Sequence, residues 1–298
     1  MSRKLTTIIY HRVLNEPDLI YKYEPTIKEF DSQIRWLSSF FQCLTVSQAT
    51  EKLKKNKLPL NVLCITFDDG YNDFYTNAFP ILKKYKIPAT LYVTSNCLSG
   101  MQLWNEILHS IILNPKYNKI DCSFFNLDSY KLDSSEKRIE TYLILENKIK
   151  YLNSIKREQF IETLLQKYPT KIADNTMLNK KQLIELNDAG IEIGSHTLSH
   201  PILSSTSQDQ ARREITDSKK AIEKIINTPV KSFAYPNGKI GIDYNQLHIN
   251  YVKEAHYSSA LSSNPKPDGK FDIFQIPRFS PAKHQGIGLL LRIIKNKF

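Results

Sequence analysis

Two stretches of this chain hold residue types that are costly to keep unless they do chemistry. The first is Thr66-Phe67-Asp68-Asp69-Gly70. Adjacent carboxylates repel each other in a low-dielectric site unless a cation or a shared proton relieves them. The competing reading is a helix N-cap with an acidic first turn, because helical spacing follows from Asn72. The second stretch is Ser195-His196-Thr197-Leu198-Ser199-His200, closed by Pro201. Neutral imidazole is a common ligand for zinc and similar metals, and two histidines with a carboxylate form a familiar facial set. Pro201 puts the pair at a strand end and loop, not in a helix interior. Beside an acidic strand end, this spacing points to a metal site; the bland alternative is two surface histidines.

The elements that must position these residues follow a strand–helix rhythm. Leu5 to Tyr10 reads as a strand, with His11 just past its end. Phe30, Ile34, Leu37 and Phe41 recur at helical spacing from Thr26 to Phe41, and a second helix is expected from Ser47 to Lys55. Val62 to Phe67 is a buried strand that delivers the two acids. A helix carrying Phe74, Ala78, Ile81, Leu82 and Tyr85 ends at Ile87-Pro88, and Ala89 to Thr94 is the next strand. Such alternation means parallel pairing and an α/β fold.

The rhythm breaks from about residue 99 to 177, where the chain is polar and mainly helical. Its best helices are Leu103–Leu113 and Ser134–Tyr168, with a short strand at Cys122–Leu127. This reads as an insertion, packed outside the main sheet or over one end of it. The rhythm resumes with a helix whose Asn179 and Gln182 have capping-box spacing, ended by Gly190. Strands are expected at Ile191–Ser195, Val230–Tyr235, Tyr257–Leu261 and Phe271–Phe279, the last interrupted by Pro277. Helices are expected at Ser207–Asn227 and Asp243–Ala255. Gly286 to Phe298 is a short basic amphipathic helix; core packing is the favoured role and contact with a membrane surface the other.

At 298 residues, with 41% hydrophobic and 24% charged residues, the chain has the composition of a globular protein with a sizeable core. The net charge of +11 favours anionic partners, but the lysines are dispersed and no nucleic-acid partner is expected. No apolar run reaches the length of a membrane span. The apolar stretch behind Met1-Ser2-Arg3-Lys4 ends at Tyr10-His11-Arg12, so it reads as a strand and not a secretion signal. A cytoplasmic location is therefore expected, at or near the inner membrane face. Four cysteines without a C-x-x-C pair are expected to be reduced thiols.

Taken together and in this order, the Thr66–Gly70 and Ser195–His200 motifs resemble the polysaccharide deacetylase family, with its NodB-homology domain, over roughly 5–98 and 178–282. The resemblance implies one domain: a distorted (β/α) barrel of about seven strands, with the active site at the strands' C-terminal ends. It also implies roles. Asp68 matches the family's catalytic base, and Asp69, His196 and His200 match its three metal ligands. One divalent ion is expected, zinc first, with Co²⁺ or Ni²⁺ as alternatives.

The chain departs from the family pattern twice. Ala234, in Phe233-Ala234-Tyr235-Pro236-Asn237-Gly238, stands where the third motif usually carries an arginine. A branch of the family has this form. Arg278 is the candidate substitute, against a surface ion pair, and Tyr235 and Pro236 are expected to orient substrate. Nor does the C-terminal third hold the usual acid histidine in a recognisable motif. Ile9-Tyr10-His11-Arg12 resembles the start of the permuted branch that acts on poly-N-acetylglucosamine, which makes His11 the expected general acid ahead of His284, His256 and His248. The reaction implied is metal-dependent N-deacetylation of an N-acetylhexosamine-containing glycan or lipid-linked intermediate. The alternatives are hydrolysis of a non-sugar amide, and a catalytically silent glycan- or nucleic-acid-binding module.

Overall fold

The computed structural model describes residues 5–173, 175–263 and 271–295. Its spine is a parallel sheet. Strands β1 (Thr6–Tyr10), β3 (Val62–Phe67), β4 (Thr90–Val93), β7 (Glu192–Ser195), β8 (Ser232–Ala234), β9 (Ser259–Ser262) and β10 (Ile276–Pro277) pair in that order. A further short strand, β2 (Gln42–Cys43), pairs with the start of β3. The path returns on itself through one parallel bridge, Ile8 to Phe279, with Ile9 N–H donating to the Phe279 carbonyl at 3.1 Å. The result is the expected barrel of seven main strands, nearly closed. Strand residues run buried without alternation in β1, β3 and β4, as they must when both faces are covered.

Helices cover the sheet where the apolar spacing places them. They are α1 (Ile27–Phe40), α2 (Val46–Lys54), α3 (Phe79–Lys84), α7 (Lys180–Asp188), α8 (Gln208–Ile226) and α9 (Gln246–Glu254). Thr26, Thr45 and Asn179 each form a full capping box, which fixes where α1, α2 and α7 begin. Between Asp69 and α3 the chain first makes a wide π turn, Phe74–Ala78. Pro80 lacks the N–H that a regular helix would need there, so the turn widens and Phe79 N–H bonds back to Phe74. The N-cap reading of the acidic pair is thereby set aside: neither Asp68 nor Asp69 caps this helix.

The 99–177 segment brings helices α4 (Trp104–Leu113), α5 (Ser135–Lys150) and α6 (Ser154–Lys167) around an apolar cluster of its own, including Leu108, Ile112, Leu145 and Phe160. The expected strand at Cys122–Leu127 is corrected. Ser123–Phe125 is a 3-10 turn ending at Asn126 with φ +56°, and the strands are its flanks, β5 (Lys119–Asp121) and β6 (Ser129–Lys131), paired antiparallel. The single expected helix over Ser134–Tyr168 is two, broken where Asn153 caps α6. The last expected strand is also shorter. Asp272 accepts from the Phe274 N–H and the Gln275 side-chain amide in a tight turn, which consumes the start of that run. The tail forms α10 (Gly286–Lys295). All four cysteines are free. Among the described residues no helix is long and apolar enough to cross a membrane.

Candidate active site

Strand β3 ends at Phe67 and hands two carboxylates to the rim of the barrel. Asp68 is 3% exposed and Arg278, just past β10, is 1% exposed. Their pairing is bidentate, Arg278 Nη1 to Asp68 Oδ1 at 2.6 Å and Nη2 to Oδ2 at 2.8 Å. The guanidinium is held in turn by the Thr66 hydroxyl and the Ser262 carbonyl, over the face of Tyr92. Burial works to raise the Asp68 carboxyl, but Arg278 and His196 keep it below its ordinary value. The surface-ion-pair reading of Arg278 is thus corrected: it is a buried partner of Asp68.

Asp69 turns the other way. Its φ is +71°, a left-handed conformation that costs a non-glycine residue about 1 kcal/mol or more. That turn aims the carboxylate at the histidine loop, where Oδ1 lies 3.4 Å from His196 Nε2 and 3.2 Å from His200 Nε2. The donor atoms of Asp69, His196 and His200 all fall within 4.8 Å of one another. Asp69 Oδ1 is buried with no hydrogen-bond partner, an acceptor left open for a cation. His196 uses Nδ1 to bond the Ala234 carbonyl at 2.7 Å, which leaves its Nε2 lone pair facing Asp69. Burial keeps His200 below the usual histidine range, against the pull of Asp69, and a neutral ring is the ligating form. This set fits a divalent ion with an open coordination position.

The loop carrying the histidines is fixed from below. Thr197 and His200 both have positive φ, at +70° and +58°. Glu214 of α8 accepts from the Leu198 and Ser199 N–H groups and from the Ser199 hydroxyl. Sequence reasoning missed Glu214, although the signal was present. Ala211, Glu214, Ile215, Ser218 and Ile222 share the buried face of α8, so two polar residues stand in an apolar register. Ser218 donates to the Thr197 carbonyl and supports the same loop.

A cleft of about 570 Å³ opens over this centre. His11 lines it from the end of β1, on the same rim as Asp68, Asp69, His196 and His200. Its side chain is 41% exposed, with Nδ1 3.6 Å from Glu24 Oε1. Burial opposes the charge on His11, but Glu24 and then Asp69 and Asp68 raise its pKa to about 9. The other candidate acids lie elsewhere: His248 caps α9 through Asn245, His256 follows that helix, and His284 stands beside Arg292 outside the cleft. Arg12 does not reach Asp68. It bonds Asp73 at 2.7 Å and Glu106 at 3.1 Å, and Glu106 also accepts from Tyr21 and Tyr71. Glu106 is the lone acid among apolar neighbours in α4, and it ties the insertion to the His11 loop. Trp104, Tyr142, Glu146 and Lys150 then form a cleft wall, so the insertion sits over the catalytic end of the barrel.

Tyr235 and Pro236, expected at the substrate, are both buried. The Tyr235 ring stacks on Tyr244 at 3.8 Å and its hydroxyl donates to the Phe274 carbonyl, so the strand end packs inward. Asn237 is the residue that reaches the cleft from that turn.

Comparison with known proteins agrees with this architecture. YxkH of Bacillus subtilis (strain 168), named for a polysaccharide deacetylase, is 22% identical over 264 residues. The match takes in 88% of this chain and 65% of that relative, so the chain spans just under two-thirds of its length. The poly-beta-1,6-N-acetyl-D-glucosamine N-deacetylase of Staphylococcus aureus (strain MSSA476) is 30% identical over 213 residues, 70% of this chain and 72% of that protein. Among solved structures, the Streptococcus pyogenes deacetylase PplD in complex with acetate aligns over 97% of both chains with a TM-score of 0.65 at 20% identity. IcaB from Ammonifex degensii aligns over 99% of this chain and 98% of its own with a TM-score of 0.62 at 16% identity. The family model for polysaccharide deacetylase matches residues 55–112 and 116–260, running through both the acidic strand end and the histidine loop, and the chain therefore belongs to that family.

Proposed function

We propose that this protein is a metal-dependent deacetylase that removes N-acetyl groups from an N-acetylhexosamine-containing glycan. The observation that carries the reading is the Asp69–His196–His200 convergence, with Asp69 Oδ1 orphaned, beside a second carboxylate that is held ionised. Zinc is the ion proposed, with Co²⁺ or Ni²⁺ able to take its place in a set of two imidazoles and a carboxylate. When bound, such an ion polarises the amide carbonyl and makes water a better nucleophile at neutral pH.

The chain's own residues supply the proton chemistry. Asp68 takes the proton from the attacking water, and Arg278 fixes both its charge and its orientation, in the place of the arginine that Ala234 lacks. His11 gives a proton to the departing nitrogen, since an amine anion is too basic to leave. Glu24 keeps His11 charged for that step. The glycan lies along the insertion wall, where Trp104 offers an aromatic ring to a sugar and Asn105, Glu146 and Lys150 offer polar contacts. The named activity of the Staphylococcus aureus relative makes β-1,6-linked N-acetylglucosamine the first substrate to try. The test is acetate release from such an oligomer by protein stripped of metal and reloaded. Release that needs both the ion and Asp68 supports the reading; none with any loaded metal ends it.

A further inference from the structure

Helix α10 is apolar on two opposite faces and covered on one. Leu289 and Ile293 are buried in the main core against α1. Ile287, Leu291 and Ile294 lie on the other side at 74%, 62% and 59% exposure. A contiguous exposed apolar stripe marks a contact surface. The placement of the helix is firm at its start, because Gln33 donates to the Ala282 and His284 carbonyls at 2.7 and 2.9 Å.

Arg292, in the same helix, belongs to a second feature. A shallow trough of about 680 Å³ is lined by Lys22, Tyr23, Lys283 and Arg292, with Tyr23 itself 68% exposed. Lys22 sits over the Tyr23 ring, and Lys283 makes a long ion pair with Glu29 at 3.9 Å. Arg292 and Ser280 line both this trough and the catalytic cleft. The trough therefore offers an amphipathic aromatic ring and three cationic side chains at the cleft mouth, and the helix that supplies Arg292 carries the exposed aliphatic stripe.

We infer that this face docks on the surface of an anionic lipid bilayer, with Ile287, Leu291 and Ile294 entering the headgroup–acyl boundary and Lys22 and Lys283 meeting lipid phosphates. Charge decides between occupants. A second copy of this chain would bring another net charge of +11 against a basic trough, whereas anionic headgroups complement it. Amphipathic helices of this make lie in the interface plane, held by apolar insertion together with electrostatic attraction. Docking in this way sets the cleft mouth beside the membrane, where a membrane-bound glycan would be presented. The inference does not rest on the deacetylase reading.

The experiment is co-sedimentation of the full chain with phosphatidylcholine vesicles, with and without phosphatidylglycerol. Binding is expected to the anionic vesicles and to weaken as salt is raised. The Ile287→Ser/Leu291→Ser/Ile294→Ser variant changes only exposed positions, and it should bind about ten-fold more weakly or worse. Lys22→Glu and Lys283→Glu should each lose about five-fold or more. Circular dichroism and acetate release from a soluble oligomer report whether the variants remain folded and active, separately from lipid. Wild-type protein that ignores anionic vesicles overturns the inference, as does a triple variant that binds like wild type. So does a wild-type dimer that the triple variant dissolves, which would assign the stripe to a second copy.

Discussion

Replacing Arg278 with Met isolates the pair on which the proposed base depends. Met keeps much of the arginine stem's volume and removes its charge. Asp68 and Arg278 have 3% and 0% side-chain exposure, so the abandoned carboxylate would meet water only through its small opening to the cleft. The His196 ring remains beside it, with Nε2 3.7 Å away. Breaking a buried pair by deleting one partner costs about 3–5 kcal/mol. The pH dependence follows from the sign of the Asp68 shift. In the wild type the carboxyl is held low, so its contribution is present above the unfolded value of about 3.9 and is lost as pH falls through the lower folded value. Without Arg278, burial stands largely unopposed and the folded pKa moves above the unfolded one. The charged carboxylate then destabilises the variant near neutral pH, and the deficit shrinks as acid protonates it. Urea unfolding of metal-stripped protein across about pH 4 to 8 reads this directly. Asp68→Asn combined with Arg278→Met should cost less than the two single changes added together, because no buried charge is stranded. A variant as stable as wild type, or a deficit that does not change with pH, would mean that Arg278 does not hold the Asp68 charge in place.

Further outcomes separate the remaining roles. His196→Ala or His200→Ala should lose bound metal and activity together, whereas Asp68→Asn should keep metal by elemental analysis and lose about 10²–10⁴-fold in kcat. His11→Gln should keep metal and lower kcat by a similar factor, with the alkaline limb of its pH profile gone. Glu24→Gln should move that limb down in pH, because Glu24 is the main group that raises His11; an unmoved limb would take the acid role from His11. Gly194→Ala should weaken the whole centre, since a Cβ there would stand 2.4 Å from the buried Tyr92 ring, two residues before His196. Overpacking of that kind costs about 1–3 kcal/mol, read as a lower thermal midpoint.

The parts of the site that were legible in the sequence share one property: each is carried by local pattern. The Val62–Phe67 run, the Asp68-Asp69 pair and the His196/His200 spacing can be read from a few adjacent residues, and so can the capping boxes. What stayed hidden depends on long-range meetings. Glu24 faces His11, Glu106 gathers Arg12, Tyr21 and Tyr71, and Glu214 holds the histidine loop, all across element boundaries. Arg278 was placed at the rim by the strand rhythm, but its bidentate lock on Asp68 needed the barrel to close through Phe279. Tyr235 misled because motif position does not say which way a ring turns, and here Tyr244 offered it a stacking partner inside. The two-residue β2 and β10 are too short to carry any periodicity, and the Pro80 π turn looks like an ordinary helix until backbone bonds are traced.

If a single ion on Asp69, His196 and His200 drives deacetylation, activity must follow the metal content of that site, and a stoichiometric titration reads this. Metal-stripped protein is titrated with Zn²⁺ while acetate release from a β-1,6-linked N-acetylglucosamine oligomer is followed. The rate is expected to climb linearly and break at one ion per chain, with His200→Ala flat over the same range. Acetate release that is undiminished in stripped protein, or a His200→Ala titration that matches wild type, would contradict it.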